Sequence, residues 1–372
     1  MLRNLATTVA FAALLAAGPA GTPAFAKDNA LQMVSIDVEG GGGTLFVTPE
    51  GKSLLIDTGN PEQSRITGSN PSSARIAAAA SALGVKKIDY LITTHYHGDH
   101  IGGFEGFLAR MPVGTVIDHG PNRETTASPN PAAPQIDMNN PPPGSTAYGY
   151  NKYIELIKSH HLHHIVAKAG DVFHIGSMIV TIVMADGKPI AKPLPGAGAD
   201  NPDCAGMQSM ASNGGEENAR STASLISFGK ARIAAFGDLT WDREKDLFCP
   251  VNKVGKVDVY LATHHGTNLS GSPAAVNALA PIVAIVGNSA RKGADAERMK
   301  TIKASPRIQG VWQLHTSTSA PDANVPVDMI ANEGTDQSKD KAYGLRLRIE
   351  KSGRVTVINE RTGYNKTYGD NS

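Results

Sequence analysis

Three imidazoles and a carboxylate fall within six positions, His95, His97, Asp99 and His100, in the run Thr94-His95-Tyr96-His97-Gly98-Asp99-His100. Neutral imidazole and carboxylate are the ligands that suit zinc, iron or manganese at neutral pH. Alternate side chains of an extended backbone share a face, so His95 and His97 point to the same side, and Asp99 and His100 follow around a bend. The preceding Ile88-Asp89-Tyr90-Leu91-Ile92-Thr93 is short, apolar and β-branched, which predicts a buried strand, and Gly102-Gly103 stops the turn that follows. This composition at this place describes a metal centre at the C-terminal end of a strand.

Other strand ends carry the same kind of side chain. Ser53 to Asp57 ends in a carboxylate, Asp57; Ile233 to Asp238 ends in Gly237-Asp238, a carboxylate able to bridge two cations; Val257 to Ala262 leads into Thr263-His264-His265-Gly266. His264, which directly terminates its strand, is the favoured last nitrogen ligand, with His265 close behind it. His315, after Trp312-Gln313-Leu314, also ends a strand and is a candidate lining residue. Asn218, Arg220 and Ser221 are candidates for orienting substrate, and the Arg220 guanidinium would suit a phosphate. The tract His160-His161-Leu162-His163-His164 has polar flanks at a helix end and reads as a solvated face.

The elements that must place these residues follow from periodicity and punctuation. Leu31 to Val38, Thr44 to Thr48 and Ser53 to Asp57, broken by Gly40-Gly41-Gly42-Gly43 and Pro49-Glu50-Gly51, read as an antiparallel meander. Ala74 to Leu83, ended by Gly84, reads as a helix, as does Tyr150 to Ile157, with strands over Ile165 to Ala167 and Met178 to Met184. From Thr222 onward strands alternate with helices: strands at 222–228, 231–236, 257–262, 282–286 and 310–314, helices at 241–247, 272–279 and 294–304. A hairpin, 344–349 with 354–359, closes the chain. Pro- and Gly-rich stretches near 121–146 and 186–217 are longer than ordinary connections and are either flexible insertions or walls of the site.

Composition bounds the rest. With 372 residues, 41% hydrophobic, the chain can bury a sizeable core, and a formal net charge of +1 forces no acidic partner. Residues 1–26 run from Met1-Leu2-Arg3 through an apolar stretch to Ala24-Phe25-Ala26, the order of a cleavable signal peptide, so the expected product is periplasmic or secreted and begins near Lys27. No later stretch is long and apolar enough for a transmembrane helix. Cys204 and Cys249 could pair in an oxidising compartment; their spacing does not decide it.

Taken together these motifs resemble the metallo-β-lactamase superfamily over most of residues 27–372. His95, His97, Asp99 and His100 match its HxHxDH motif, Asp57 its strand-end Asp, Asp238 its bridging Asp, and His264-His265 its last His. The pattern from Asn218-Ala219-Arg220-Ser221 to His264-His265-Gly266-Thr267 looks most like the branch holding the hydrolase domain of the competence DNA-uptake channel and the phosphorylcholine esterases. The resemblance implies an α/β fold, the αββα sandwich of two mixed sheets with outer helices. It also implies a hydrolase with two divalent ions, zinc first and manganese second, that attacks through a metal-bound hydroxide. His95, His97 and Asp238 would hold one ion; Asp99, His100, Asp238 and one of His264 or His265 the other. Asp57 would orient a ligand imidazole, and Asp99, His265 and Asp57 are the residues expected to serve catalysis. Phosphoesters and phosphodiesters are the favoured substrates; lactone, lactam or carboxylic ester cleavage, a non-catalytic metal-binding envelope protein and a nucleic-acid partner are the alternatives. One departure stands out: no strand-end histidine supplies the family's separate third imidazole, for which His119 and His174 are the candidates.

Overall fold

The computed structural model describes residues 29–130, 132–207, 215–335 and 340–369; the expected signal segment 1–26 lies outside them. β1 (Leu31–Ser35), β2 (Thr44–Val47) and β3 (Ser53–Ile56) form the antiparallel meander. α1 (Ser72–Ala82) leads to β4 (Ile88–Ile92), then α2 (Gly98–Ile101), α3 (Phe104–Leu108) and β5 (Val113–Asp118). α4 (Thr146–Ser159) precedes β6 (His163–Val166), β7 (Val172–Ile175), β8 (Met178–Ala185) and the two-residue β9 (Lys188–Pro189). α5 (Gly215–Asn218) is followed by β10 (Ala223–Phe228), β11 (Ala231–Ala235), α6 (Trp241–Phe248) and β12 (Val259–Leu261). α7 (Pro273–Leu279), β13 (Val283–Val286), α8 (Ala296–Lys303), β14 (Gly310–His315) and β15 (Ile330–Asn332) come next. β16 (Leu345–Ile349), β17 (Val355–Asn359) and β18 (Asn365–Tyr368) finish the chain.

Two mixed sheets result. The first runs β18-β17-β16-β1-β2-β3-β4-β5-β6, the second β15-β14-β13-β12-β11-β10-β8-β7 with β9 beside β8. β3 to β6 are mutually parallel, and so are β11 to β15. The chain therefore ends several neighbouring strands at one edge of each sheet, the place where loops carry chemistry in parallel sheets.

Three apolar layers hold the sandwich together. Leu31, Met33 and Phe46 of the first sheet meet Ile226, Ile233 and Trp312 of the second in the middle. Ile76, Phe104, Phe107 and Tyr153 bring α1, α3 and α4 onto the outer face of the first sheet. Leu247, Leu279 and Met299 bring α6, α7 and α8 onto the second. Each fully buried Leu, Ile or Phe contributes roughly 1.5–3 kcal/mol, so the middle layer dominates the cohesion. This is the αββα sandwich that the motifs imply.

Several details differ from expectation. β5 was not anticipated, because Val113-Gly114-Thr115 dilutes a short apolar run. α4 starts four residues earlier than Tyr150 because Ser145 caps it, accepting from the Tyr148 amide. The histidine tract does not end with the helix: His163 and His164 open β6, and His164 Nε2 pairs with Asp118 Oδ2 at 2.7 Å. The closing hairpin gains a third strand, β18. Cys204 and Cys249 are joined, with Cα atoms 5.7 Å apart, tying the loop after β9 to the end of α6.

Candidate metal centre

Asp57 follows β3, His95 to His100 follow β4, Asp238 follows β11, and His264 and His265 follow β12, so four strand ends from both sheets meet at one seam. The backbone pays for this convergence locally: Asp57, His264 and His265 all sit at positive φ, 62°, 55° and 58°. From two consecutive left-handed residues the His264 and His265 rings reach different oxygens of Asp238, Oδ2 and Oδ1. Gly42 closes the back of the seam; a Cβ there would lie 2.4 Å from Asp57 Oδ2 and 2.7 Å from His100 Nδ1, so only glycine lets this loop approach.

Asp99, His100, Asp238 and His265 place one ligand atom each within 4.8 Å of one another. His100 Nε2 stands 3.6 Å from Asp99 Oδ2 and 3.3 Å from Asp238 Oδ1, and His265 Nε2 stands 3.6 and 3.5 Å from the same two oxygens. Ligands about 2.1 Å from one ion at tetrahedral angles stand about 3.4 Å apart. Both Nε2 atoms are buried and have no hydrogen-bond partner. An unsatisfied buried nitrogen costs roughly 1–3 kcal/mol, and a cation between these four atoms would remove that cost. The donor set therefore fits a divalent ion. The ring that enters the group is that of His265, not the favoured His264: only His265 Nε2 approaches Asp99 Oδ2 and Asp238 Oδ1 together.

Charge favours a cation as well. Burial works against a proton on His100, yet Asp238, Asp57 and Asp99 hold its pKa well above the ordinary value. Burial would raise Asp238, but His264, His100 and His265 hold it well below the usual carboxylate range.

His95 Nε2 and His97 Nδ1 converge at 3.0 Å, somewhat closer than the roughly 3.4 Å of two tetrahedral ligands, so a small opening would seat one ion between them. Thr94 Oγ1 lies 3.1 Å from His95 Nδ1, and Glu124 Oε2 holds His97 Nε2 at 3.1 Å. Burial pushes the Glu124 carboxyl up, but its bond to His97 and that ring's charge outweigh this and leave it below the ordinary value. Thr146 Oγ1 donates to the other Glu124 oxygen at 2.8 Å. Among the described residues no third His, Cys, Asp or Glu forms a ligand group with His95 and His97. His119 is buried but turned away: its Nε2 meets Glu217 Oε2 at 3.0 Å. His174 lies exposed on β7.

The remaining candidates divide. Asp57 Oδ2 meets His100 Nδ1, and Thr94 donates to both Asp57 oxygens. Ser221 Oγ accepts from the Asp238 amide, so it braces Asp238 rather than facing a substrate. Arg220 is spent on Asp186 and Glu216 and does not line the cleft, because the loop after β8 folds back against it. Asn218 does line it, and its buried Oδ1 has no partner. His315 is not at the centre: β14 lies two strands beyond β12, roughly 10 Å, and its Nε2 meets Asp37 Oδ1 at 2.8 Å in a buried group with Glu39 and Asp340.

A cleft of about 1100 Å³ opens at the centre. His97, Asp99, Asn218, Asp238, His264 and Lys292 face it. Burial pushes His264 down to about 4, so it faces the cleft as a neutral imidazole, its Nδ1 3.2 Å from Ser270 Oγ and its Nε2 3.3 Å from Asp238 Oδ2. Lys292, unmarked by any sequence signal, pairs with Asp99 Oδ2 across 193 positions of chain. The insertion near 121–146 is a wall: Ser128, Pro129, Asn130, Ala132 and Gly144 border the cleft.

Residues 39–185 match the family described as the Metallo-beta-lactamase superfamily. No curated protein sequence matches the chain. Among solved structures it is similar to the metallo-beta-lactamase fold protein YhfI from Bacillus subtilis, at 13% identity over 77% of this chain and 96% of that one, with a TM-score of 0.44. It is similar to a HARLDQ-motif metallo-beta-lactamase variant from Cronobacter sakazakii, at 16% identity and a TM-score of 0.30, over 53% of this chain and 56% of that one. It thus spans little more than half the length of that enzyme. It is similar also to CmlA, a diiron beta-hydroxylase from Streptomyces venezuelae, at 14% identity over 71% of this chain and 45% of that one, with a TM-score of 0.35. The HxHxDH run and the αββα sandwich that presents it agree with that match: residues 39–185 of this chain have the sequence pattern of the metallo-β-lactamase superfamily.

Proposed function

We propose that this chain is an exported, binuclear metal-dependent hydrolase acting on phosphoesters, with phosphodiesters favoured. The observation that carries it is the buried convergence of Asp99, His100, Asp238 and His265, whose unpartnered nitrogens and surplus carboxylate charge suit a divalent cation. Asp238 presents its second oxygen toward the cleft side, and His95 Nε2 with His97 Nδ1 offers nitrogens for a second ion; zinc suits this donor set best, manganese next. Two such ions polarise the scissile group and bring the pKa of a water toward neutrality. The chain's own residues do the rest: Asp57 and Glu124 fix His100 and His97, neutral His264 can hydrogen-bond an oxygen of the substrate, and Lys292 attracts an anion to the mouth. Lys292 and the missing third imidazole beside His95 and His97 support phosphoester over lactam cleavage. Export is supported by residues 1–26 and by the Cys204–Cys249 bridge, which suits an oxidising compartment.

The test is the protein from Lys27 onward, loaded with zinc or manganese, against bis(p-nitrophenyl) phosphate, a phosphomonoester, a lactone and a β-lactam. Phosphodiester turnover lost in Asp238→Ala is the expected result. Turnover of the lactone or lactam with no phosphodiester cleavage would overturn it.

A further inference from the structure

The cleft continues well past the candidate ligands, and its far part has a different character. Ile101 and Phe104 from α2 and α3, Tyr148 and Leu156 from α4, and Pro129 from the long loop after β5 line it there, with the charged Glu105 and Lys152 on the same helices. Tyr148 and Pro129 are exposed, Leu156 is half-buried, and Ile101 and Phe104 are buried beneath them, so a largely apolar trough opens to solvent along its rim. Contiguous apolar surface of this kind marks a place that something covers. The near end is charged: the Lys292 side chain remains 40% exposed beside Asp99, next to the candidate ligands. At about 1100 Å³ the whole exceeds the roughly 300–1,000 Å³ of ordinary small-molecule sites.

We infer that the cleft takes an amphiphilic anion, its charged group at the Lys292 end and an alkyl or aryl body laid along the trough. The trough is continuous with the candidate centre, and of the two cations lining the cleft Lys152 stands on α4 between Tyr148 and Leu156 while Lys292 stands at the near end beside the candidate ligands, so charge and shape point to one molecule rather than two. This rests on the hydrolase reading for its chemistry and adds the kind of substrate. With a phosphodiester, water adds to phosphorus, the P–O bond to the apolar group breaks, and that group leaves as an alcohol carrying a proton from the water.

Calorimetric titration with n-alkylphosphonates from ethyl to decyl, below micelle-forming concentration, tests it on zinc-loaded and metal-free protein. Affinity should rise about fourfold per methylene in both until the trough is filled, as burial of each methylene requires. Lys292→Ala should weaken the whole series without changing its slope. Gly149→Leu, whose added side chain would press on Ile101 from α4, and Leu156→Ser should both flatten it; if one fails to fold, the other still reads. A flat wild-type series overturns the trough, and an n-alkanol binding as tightly as the phosphonate of equal length overturns the anionic end. Phosphodiester turnover with a flat series would retain the hydrolase reading and discard the amphiphile. A steep series in a protein that cleaves only lactams would do the reverse.

Discussion

Asp57 Oδ2 lies 2.7 Å from His100 Nδ1, and the same carboxylate takes hydrogen bonds from the Thr94 amide and hydroxyl. An oxygen so placed accepts, so Nδ1 carries a proton and Nε2 is the ring atom that faces Asp99 and Asp238, the one free to bind an ion in place of a proton. Removing such a partner of a ligand imidazole costs about 10–100-fold in metal affinity. Asp57→Ala should show that loss in competition with a chromophoric chelator while the circular dichroism of the fold is retained.

The two adjacent histidines should separate cleanly. His265→Ala removes a member of the four-atom group and should lower bound zinc from about two ions per chain to about one. His264→Ala leaves that group intact and should keep the stoichiometry while slowing turnover about 100-fold. Metal analysis by mass spectrometry beside steady-state rates checks both; loss of an ion in His264→Ala alone would exchange their roles.

Glu124 holds His97 from a loop that sequence reading treats only as Pro-rich. Glu124→Gln keeps the shape but removes the charge that steadies the ring, and should weaken the more weakly bound ion by about tenfold. Glu124→Ala should do more. Equilibrium dialysis at graded zinc concentrations measures the difference, and equal affinity in all three proteins contradicts it.

The buried group around His315 sets a pH limit on stability. Burial opposes a proton on His315, but Asp37, Glu39 and Asp340 raise its pKa from 6.5 to about 9, and burial first, then Asp340 and Asp37, raises Glu39 from 4.5 to about 8. Both folded values exceed the unfolded ones, so the folded state keeps these protons longer. The His315 contribution is complete below about pH 6.5 and vanishes as pH rises through about 9; that of Glu39 is complete below about 4.5 and vanishes through about 8. Thermal melts should therefore fall between about pH 6.5 and 9, by a loss on the order of 3–5 kcal/mol. His315→Gln should flatten that slope, and a melting temperature independent of pH over this window counts against the account.

What the sequence made legible was what lay on apolar strand ends. His95 to His100, Asp57, Asp238 and His265 could be named because each closes a run whose burial is readable from composition alone. Glu124 and Lys292 could not: each is one charged residue in a loop, brought in by tertiary approach, 27 positions from His97 and 193 from Asp99. His315 was misplaced for the opposite reason. It closes a buried strand as the ligands do, but strand order, which periodicity does not encode, sets β14 two places from β12. The choice between His264 and His265 turned on backbone dihedrals that no residue type announces, since neither is glycine.

Because His100 comes from one layer of the sandwich and His265 from the other, an ion between them is a clasp as well as a reagent. The two layers share an apolar middle but are separate hydrogen-bonded sheets, so nothing in the ladders themselves stops their open mouth from breathing. An ion there would add to the Thr222–Thr94 backbone hydrogen bond and the Lys292–Asp99 pair that already join the two sheets at this seam, so the rigidity of the working end would rise with the metal supply around it.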